Sequence, residues 1–206
     1  LEGLIVAADI QTSTIRALVG GRSYAETNFN RVSNMKRQVG SVFKPIVYLS
    51  AFLKGSDSNG IPYTDSYLIE DAPWSYTFEN QVWKPKNFEN TYRGKITLRE
   101  AFAHSINIPM AKIGIDVGLD RITETAHKLG IKEDLPKLPS LILGAVELSA
   151  IDILQAYSTI ASLGKYKPLH AVKFILSQDG DFIFQNNPPT ESAFNENDLE
   201  LLLSLL

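Results

Sequence analysis

Cysteine is absent from the 206 residues. Disulfides, thiolate metal ligands and a thiol nucleophile are therefore excluded, although the compartment is not fixed by this. Histidine is nearly absent too. His104, His127 and His170 are too scattered for a His-based zinc site, and no metal or cofactor is expected. A net charge of −3 with no run of Lys or Arg leaves no footprint for nucleic acid and no polybasic membrane patch. No segment reaches the ~18 to 20 apolar residues that cross a bilayer, and no signal-peptide pattern is present. Both ends look cut, however. "LEGLIVAADI" reads as a strand already under way, and "NENDLELLLSLL" as a helix capped near Asn195 or Asn197 with its apolar face unfinished. The expectation is a piece of a longer chain, in which missing targeting signals mean little.

What is present suits one ordinary globular domain: 44% hydrophobic and 21% charged side chains, enough for a sizeable core. "LIVAADI" and "TIRALVGG", joined by "QTS", predict a hairpin within residues 1–21. Helical spacing runs from Val42 to Lys54 and stops at Gly55. Residues 56–95 carry aromatics, Pro and Asn without periodicity, a stretch too long for an idle loop and expected to be functional or packed on the core. Helices then dominate. One starts at Thr97 with Glu100 three residues on, one is closed by Gly118, one by Gly130 and one by Gly164. "HAVKFILSQDGDFIFQ", residues 170–185, predicts a second hairpin turning at Asp179–Gly180. Strands at both ends with helices between predict an α/β (α+β) fold, a mixed sheet covered by a helical region spanning 40–165.

Three Ser-x-x-Lys matches occur, at Ser33–Lys36, Ser41–Lys44 and Ser162–Lys165, and the pattern alone is as common as chance. Context separates them. The first lies in a polar loop, and the third straddles Gly164 beyond a helix end. Only Ser41–Lys44 opens a helix. Pro45 argues for this, since proline is tolerated in a first turn but costs ~3 kcal/mol deeper inside. Residues i and i+3 share a face in an α- or 3₁₀-turn, so hydroxyl and amine can meet. The Ser41 N–H, near a helix start, is free for a developing oxyanion. The chemistry demands a neutral amine. Only about one lysine in 10³ is neutral at pH 7, and a ~3-unit shift costs ~4 kcal/mol, which burial in "VFKPIVYL" can supply. Taken alone, the motif also fits a serine N-cap followed by an exposed lysine.

"FAHSINIPMAKIG" supplies the one Ser-x-Asn of the chain, Ser105 and Asn107. Read by itself, Asn107 would cap a helix whose first turn holds Pro109. Read functionally, Ser105 relays protons beside the amine, and the Asn107 carboxamide holds that amine and a substrate amide. Ser-x-x-Lys with a downstream Ser-x-Asn is the signature of serine β-lactamases and penicillin-binding proteins. With "GSVFKPIVYLSAF", "IEDAPW", "VWKPKNF", "GKITLREAFAHSINIPMAKIGIDVGLDRI" and "LPSLILGAVELSAIDILQAYSTIASLG" in order, the chain resembles the transpeptidase domain of class A, bifunctional penicillin-binding proteins, most like the 1B subgroup.

The resemblance implies an antiparallel sheet packed by a mixed-helix region. It implies Ser41 as nucleophile on the penultimate D-alanine carbonyl of a peptidoglycan stem peptide, Lys44 as general base, Ser105 as proton relay and Asn107 as orienter of Lys44 and peptide. β-Lactams would acylate Ser41, and the site would face outward from the cytoplasmic membrane, with any anchor, the glycosyltransferase domain and other envelope partners lying beyond this chain. Two departures stand out. Ile106 occupies the middle of the second motif, and no Lys-Thr-Gly occurs at all. In the family that triad supplies a carboxylate contact and an oxyanion donor worth ~3 to 4 kcal/mol, so poor activity is expected. Rival readings are a β-lactamase or D,D-carboxypeptidase of the same fold, and a non-catalytic β-lactam sensor or envelope scaffold using the aromatic segment 61–88, although its rings Trp74 and Trp83 are expected to pack in the core. Glu124, Glu133 and Glu147 lack the Glu-x-x-x-Asn spacing that a class A β-lactamase needs.

Overall fold

The computed structural model describes residues 2–206, so Leu1 of the expected first hairpin lies outside the described residues. Seven helices are described: α1 (Arg31–Asn34), α2 (Lys44–Lys54), α3 (Leu98–Ala103), α4 (Asn107–Val117), α5 (Leu119–Lys128), α6 (Ala150–Ala161) and α7 (Glu196–Leu203). The chain divides into two compact units. One comprises residues up to 37, 127–133 and 148–195, and the other residues 38–126, 134–147 and 196–206.

The first unit is built on the expected hairpin. β1 (Ile5–Ala8) pairs antiparallel with β2 (Ile15–Val19). Its turn is tied by the Asp9 carboxylate, which accepts the backbone N–H of Thr12 at 2.8 Å. α6 packs on β1 and begins with a capping box in which Ser149 and Asp152 each satisfy the other's backbone N–H. The second expected hairpin is also present. Phe174–Leu176 pairs antiparallel with Phe182–Gln185, and the turn closes through Gly180 at φ +89°.

The second unit is centred on α2. Residues 44–51 of that helix are all buried, so it is enclosed on every side rather than amphipathic. α4 and α7 pack against it, contributing Ile108, Ile113, Leu199 and Leu202. Gly55, at φ +88°, ends it where the sequence placed the stop. α3 starts at Thr97, whose hydroxyl accepts the Glu100 N–H at 3.2 Å.

Two expectations are corrected. Among the described residues the strands, each only two to five residues long, form two-stranded ladders rather than one mixed sheet. Residues 56–95, expected to be more than an idle loop, hold two strand pairs that the sequence did not mark. Leu68–Asp71 pairs with Gly94–Thr97, and Tyr76–Phe78 with Gln81–Trp83. Pairing over such short runs leaves no periodicity to read. Finally, Trp74 and Trp83 are not core rings. They are half-buried and meet edge-to-face at 6.2 Å on the Tyr76–Trp83 hairpin.

Candidate active site

Ser41 lies in a 3₁₀ turn, Gly40–Phe43, that runs directly into α2 at Lys44, with Pro45 in the first α-turn. The turn is braced from outside. The Val39 N–H donates to the Val146 carbonyl (3.1 Å) and the Gly40 N–H to the Gly144 carbonyl (3.0 Å). Gly144 sits at φ +73°, so close to Gly40 that a Cβ would overlap the Gly40 carbonyl. Glycine is therefore required there for close approach.

Lys44 is 3% exposed although it is a lysine. Its Nζ reaches three oxygens: the Ser105 carbonyl at 2.5 Å, Asn107 Oδ1 at 2.8 Å and Ser105 Oγ at 3.0 Å. None carries a charge, and among the described residues no carboxylate lies within ion-pair distance. Burial pulls its pKa down from 10.5 to about 8. As an ammonium, Lys44 has a donor for each oxygen. As an amine, it keeps two donors for the carbonyl and the carboxamide, and its lone pair can take the Ser105 hydroxyl hydrogen.

Ser105 serves Lys44 twice because its backbone is left-handed, at φ +51°. This costs a non-glycine residue of order 1 kcal/mol and is the kind of strain found at functional sites. Asn107 does not cap α4. It is the first residue of that helix, and Ile106 stands at the N-cap. The carboxamide instead donates Nδ2–H to the Lys86 carbonyl (2.9 Å) and turns Oδ1 to Lys44.

The helix cap comes from elsewhere. Asn87 Oδ1 accepts the N–H groups of Asn107 (3.2 Å) and Ile108 (3.1 Å). Asn87 Nδ2 donates to Asp71 Oδ1 (2.7 Å) and to the Thr91 carbonyl (2.8 Å). The sequence assigned neither Asn87 nor Asp71 a role. The available signal was "VWKPKNF" itself, with Asn87 two residues after Pro85 in a segment already expected to be functional or packed on the core. Beside these groups lies a cavity of about 210 Å³ lined by Asp71, Asn87, Phe88, Arg93, His104 and Ser105. Phe88 stands on its wall 98% exposed.

The structure thus gathers Lys44, Ser105 and Asn107 into one contact set. Ser41, exposed and one turn ahead of Lys44, makes no side-chain hydrogen bond among the described residues, so the expected hydrogen bond between its hydroxyl and Lys44 is not formed. No group of three His, Cys, Asp or Glu side chains that could hold a metal is found among the described residues.

The family model for the penicillin binding protein transpeptidase domain matches residues 3–206. The chain belongs to that family. Among its relatives, penicillin-binding protein 1B of Vibrio cholerae is 35% identical over 198 residues, which cover 95% of this chain and 25% of that protein. Penicillin-binding protein 1A of Aquifex aeolicus is likewise 35% identical, over all of this chain and 28% of its own length. The relatives are class A proteins of both the 1B and the 1A kind. The crystal structure of penicillin-binding protein 1A from Haemophilus influenzae superposes with a TM-score of 0.82 at 29% identity, covering 92% of this chain and 28% of that one. The α+β class holds, and the chain spans about a quarter of the length of the curated relatives it matches.

Proposed function

We propose that residues 1–206 are part of a single transpeptidase domain that crosslinks peptidoglycan stem peptides through an acyl-enzyme on Ser41, and that β-lactams acylate the same oxygen. The single observation that carries this is Lys44: a buried lysine with no counter-charge among the described residues and a pKa of about 8, one turn after a serine at a helix start.

The steps follow from the groups present. The Lys44 amine takes the Ser41 Oγ hydrogen as Oγ attacks the penultimate D-alanine carbonyl. Bonds between nucleophile and base often close only once substrate is bound, consistent with the open Ser41 seen here. The Ser41 N–H, in a first turn where backbone donors lack intrahelical acceptors, faces the developing oxyanion. The C–N bond to the terminal D-alanine then breaks. Its nitrogen gains a proton through Ser105, whose Oγ lies 3.0 Å from Lys44 Nζ. An amine of a second stem peptide attacks the ester and forms the new amide, and Ser41 recovers its proton. Such a site would work outside the cytoplasmic membrane. Among the described residues no helix is long and apolar enough to cross one.

The test is intact mass after prolonged exposure to benzylpenicillin. One penicilloyl group on Ser41, absent in Ser41→Ala, is expected. The sequence has no Lys-Thr-Gly, so slow acylation is expected, but labelling elsewhere or none would refute the reading. An adduct lasting minutes to hours favours the synthase, whereas rapid turnover favours a β-lactamase of this fold.

A further inference from the structure

Resting on that reading, we infer that Asp71 and Asn87 are positioning residues for the Lys44 site. Locked by the Asp71 carboxylate, the Asn87 carboxamide fixes the first turn of α4 and thereby the acceptor that Asn107 presents to Lys44.

Several independent contacts carry this. Asp71 is a carboxylate 1% exposed, and Asn87 is 8% exposed. Both Asp71 oxygens are used, Oδ1 by Asn87 Nδ2 (2.7 Å) and Oδ2 by the Arg93 N–H (2.9 Å). With both Nδ2 hydrogens given to Asp71 and the Thr91 carbonyl, the Asn87 amide cannot flip, so its oxygen must face α4. There it meets two N–H groups of the first turn, Asn107 and Ile108. The preceding residue fixes the other end of the geometry. The Lys86 carbonyl accepts Asn107 Nδ2–H (2.9 Å), which leaves Oδ1 as the only atom of that amide available to Lys44. Two adjacent residues of one strand-flanking segment therefore set both where α4 starts and which way its first side chain points.

The arrangement replaces a local cap by a remote one. Ile106, at the N-cap, has no side-chain acceptor, and Asn107 is the residue type most suited to capping. Supplying the cap from Asn87 frees the Asn107 carboxamide for Lys44. A buried carboxylate is costly to place unless it is fully hydrogen-bonded, and the hydrogen bonds Asp71 accepts come from the Asn87 amide and the Arg93 N–H.

The experiment compares Asn87→Ala, Asn87→Asp and the exchange double variant Asp71→Asn with Asn87→Asp. In the exchange, the amide at 71 keeps an oxygen for the Arg93 N–H and donates to the carboxylate at 87, whose other oxygen keeps the two α4 N–H groups. Three readouts are taken: amide exchange at Asn107 and Ile108, the Lys44 side-chain titration by NMR, and the rate of Ser41 acylation. In Asn87→Ala the two amides should exchange about fivefold faster, the scale of a lost helix cap. The Lys44 midpoint should move off about 8, and acylation should slow by ~10- to 100-fold. Asn87→Asp should keep the amides protected yet slow acylation, and the exchange variant should recover much of that loss. Unchanged exchange at the two amides overturns the inference. So does faster exchange with a native Lys44 midpoint and acylation rate, which would mark a merely structural cap. A native chain that is not acylated on Ser41, with a Lys44 midpoint that still moves in Asn87→Ala, counts against the transpeptidase reading and leaves the positioning in place.

Discussion

Helix α2 carries a lysine at each end, and the fold treats them oppositely. Lys54, in the last turn, meets the Asp116 carboxylate at 2.5 Å and the Asp116 carbonyl at 2.7 Å. It sits where the helix dipole favours a cation. Partial burial would push the Asp116 pKa up, but hydrogen bonds from Lys54, Tyr63 and Ser58 outweigh it and hold it at about 2. Lys44 stands at the other end, where the dipole opposes a cation. It is more deeply buried and has only neutral oxygens for company. A counter-charge and a favourable helix dipole are present at position 54 and withheld at position 44. A lysine placed for stability acquires a counter-charge, and one placed to take a proton does without.

The largest effect that would break this comparison is on chemistry. Lys44→Arg should cost about 10²- to 10⁴-fold in Ser41 acylation, because a guanidinium stays protonated and cannot act as base. Lys44→Met should lose as much while holding or raising the melting temperature, since it removes a buried charge that has no counter-charge among the described residues. A Lys44→Met chain that acylates normally, or unfolds far below the native one, would erase the distinction. The pH profile sharpens it. The amine works only without its proton, so the acylation rate should rise about tenfold per pH unit below 8 and level off above. Stability follows the same sign. The folded chain sheds this proton at about 8 and the unfolded chain near 10.5, so the burden of the buried cation lifts as pH rises between them.

At the other end of α2 the expectation reverses. Asp116→Ala should leave acylation of the folded chain nearly unchanged and destabilise by ~1–3 kcal/mol, because Tyr63, which donates at 2.6 Å, and Lys54 lose their acceptor. With a folded pKa of about 2 against 3.8, the Asp116 contribution is present above 3.8 and is lost as pH falls through 2. Thermal melts across that range check it. Gly144→Ala lies between the two classes. It forces a side chain into the Gly40 carbonyl at a left-handed position, so a loss of about 1–3 kcal/mol should come with slower acylation as the Ser41 turn shifts.

How much of this was legible beforehand depends on whether the signal was local. Pro45 placed the helix start near Ser41, where a 3₁₀ turn leads into α2 at Lys44, and the glycines at 55, 118, 130 and 164 marked helix ends, because caps and breakers act on their own neighbours. Both hairpins read correctly for the same reason. The site was legible as a set of residues through its two motifs. Its internal geometry was not. Asn107 reads as a helix cap, and only the fold shows that Asn87, twenty positions earlier, takes that task. The left-handed Ser105 and the close pass of Gly144 over Gly40 are likewise tertiary facts without a local trace. The strands within residues 56–95 were missed for a related reason, since these runs of three or four residues pair with partners up to 29 positions away.

The smallest predicted effect tests whether burial without a partner is a sign of function wherever it occurs. Tyr48 lies one turn beyond Lys44 on α2, is fully buried, and packs edge-to-face on Phe102 at 4.9 Å. Its hydroxyl has no hydrogen-bond partner among the described residues, and burial pushes its pKa up. An unpaired hydroxyl in such a setting costs stability, so Tyr48→Phe should raise it by up to about 1 kcal/mol. Acylation should stay at the native rate, because a neutral phenol held far above its ordinary pKa gives Lys44 neither a proton nor an acceptor. If Tyr48→Phe instead slowed acylation at unchanged stability, the hydroxyl would belong to the site, and the contrast between the two ends of α2 would have to be redrawn around three residues rather than two.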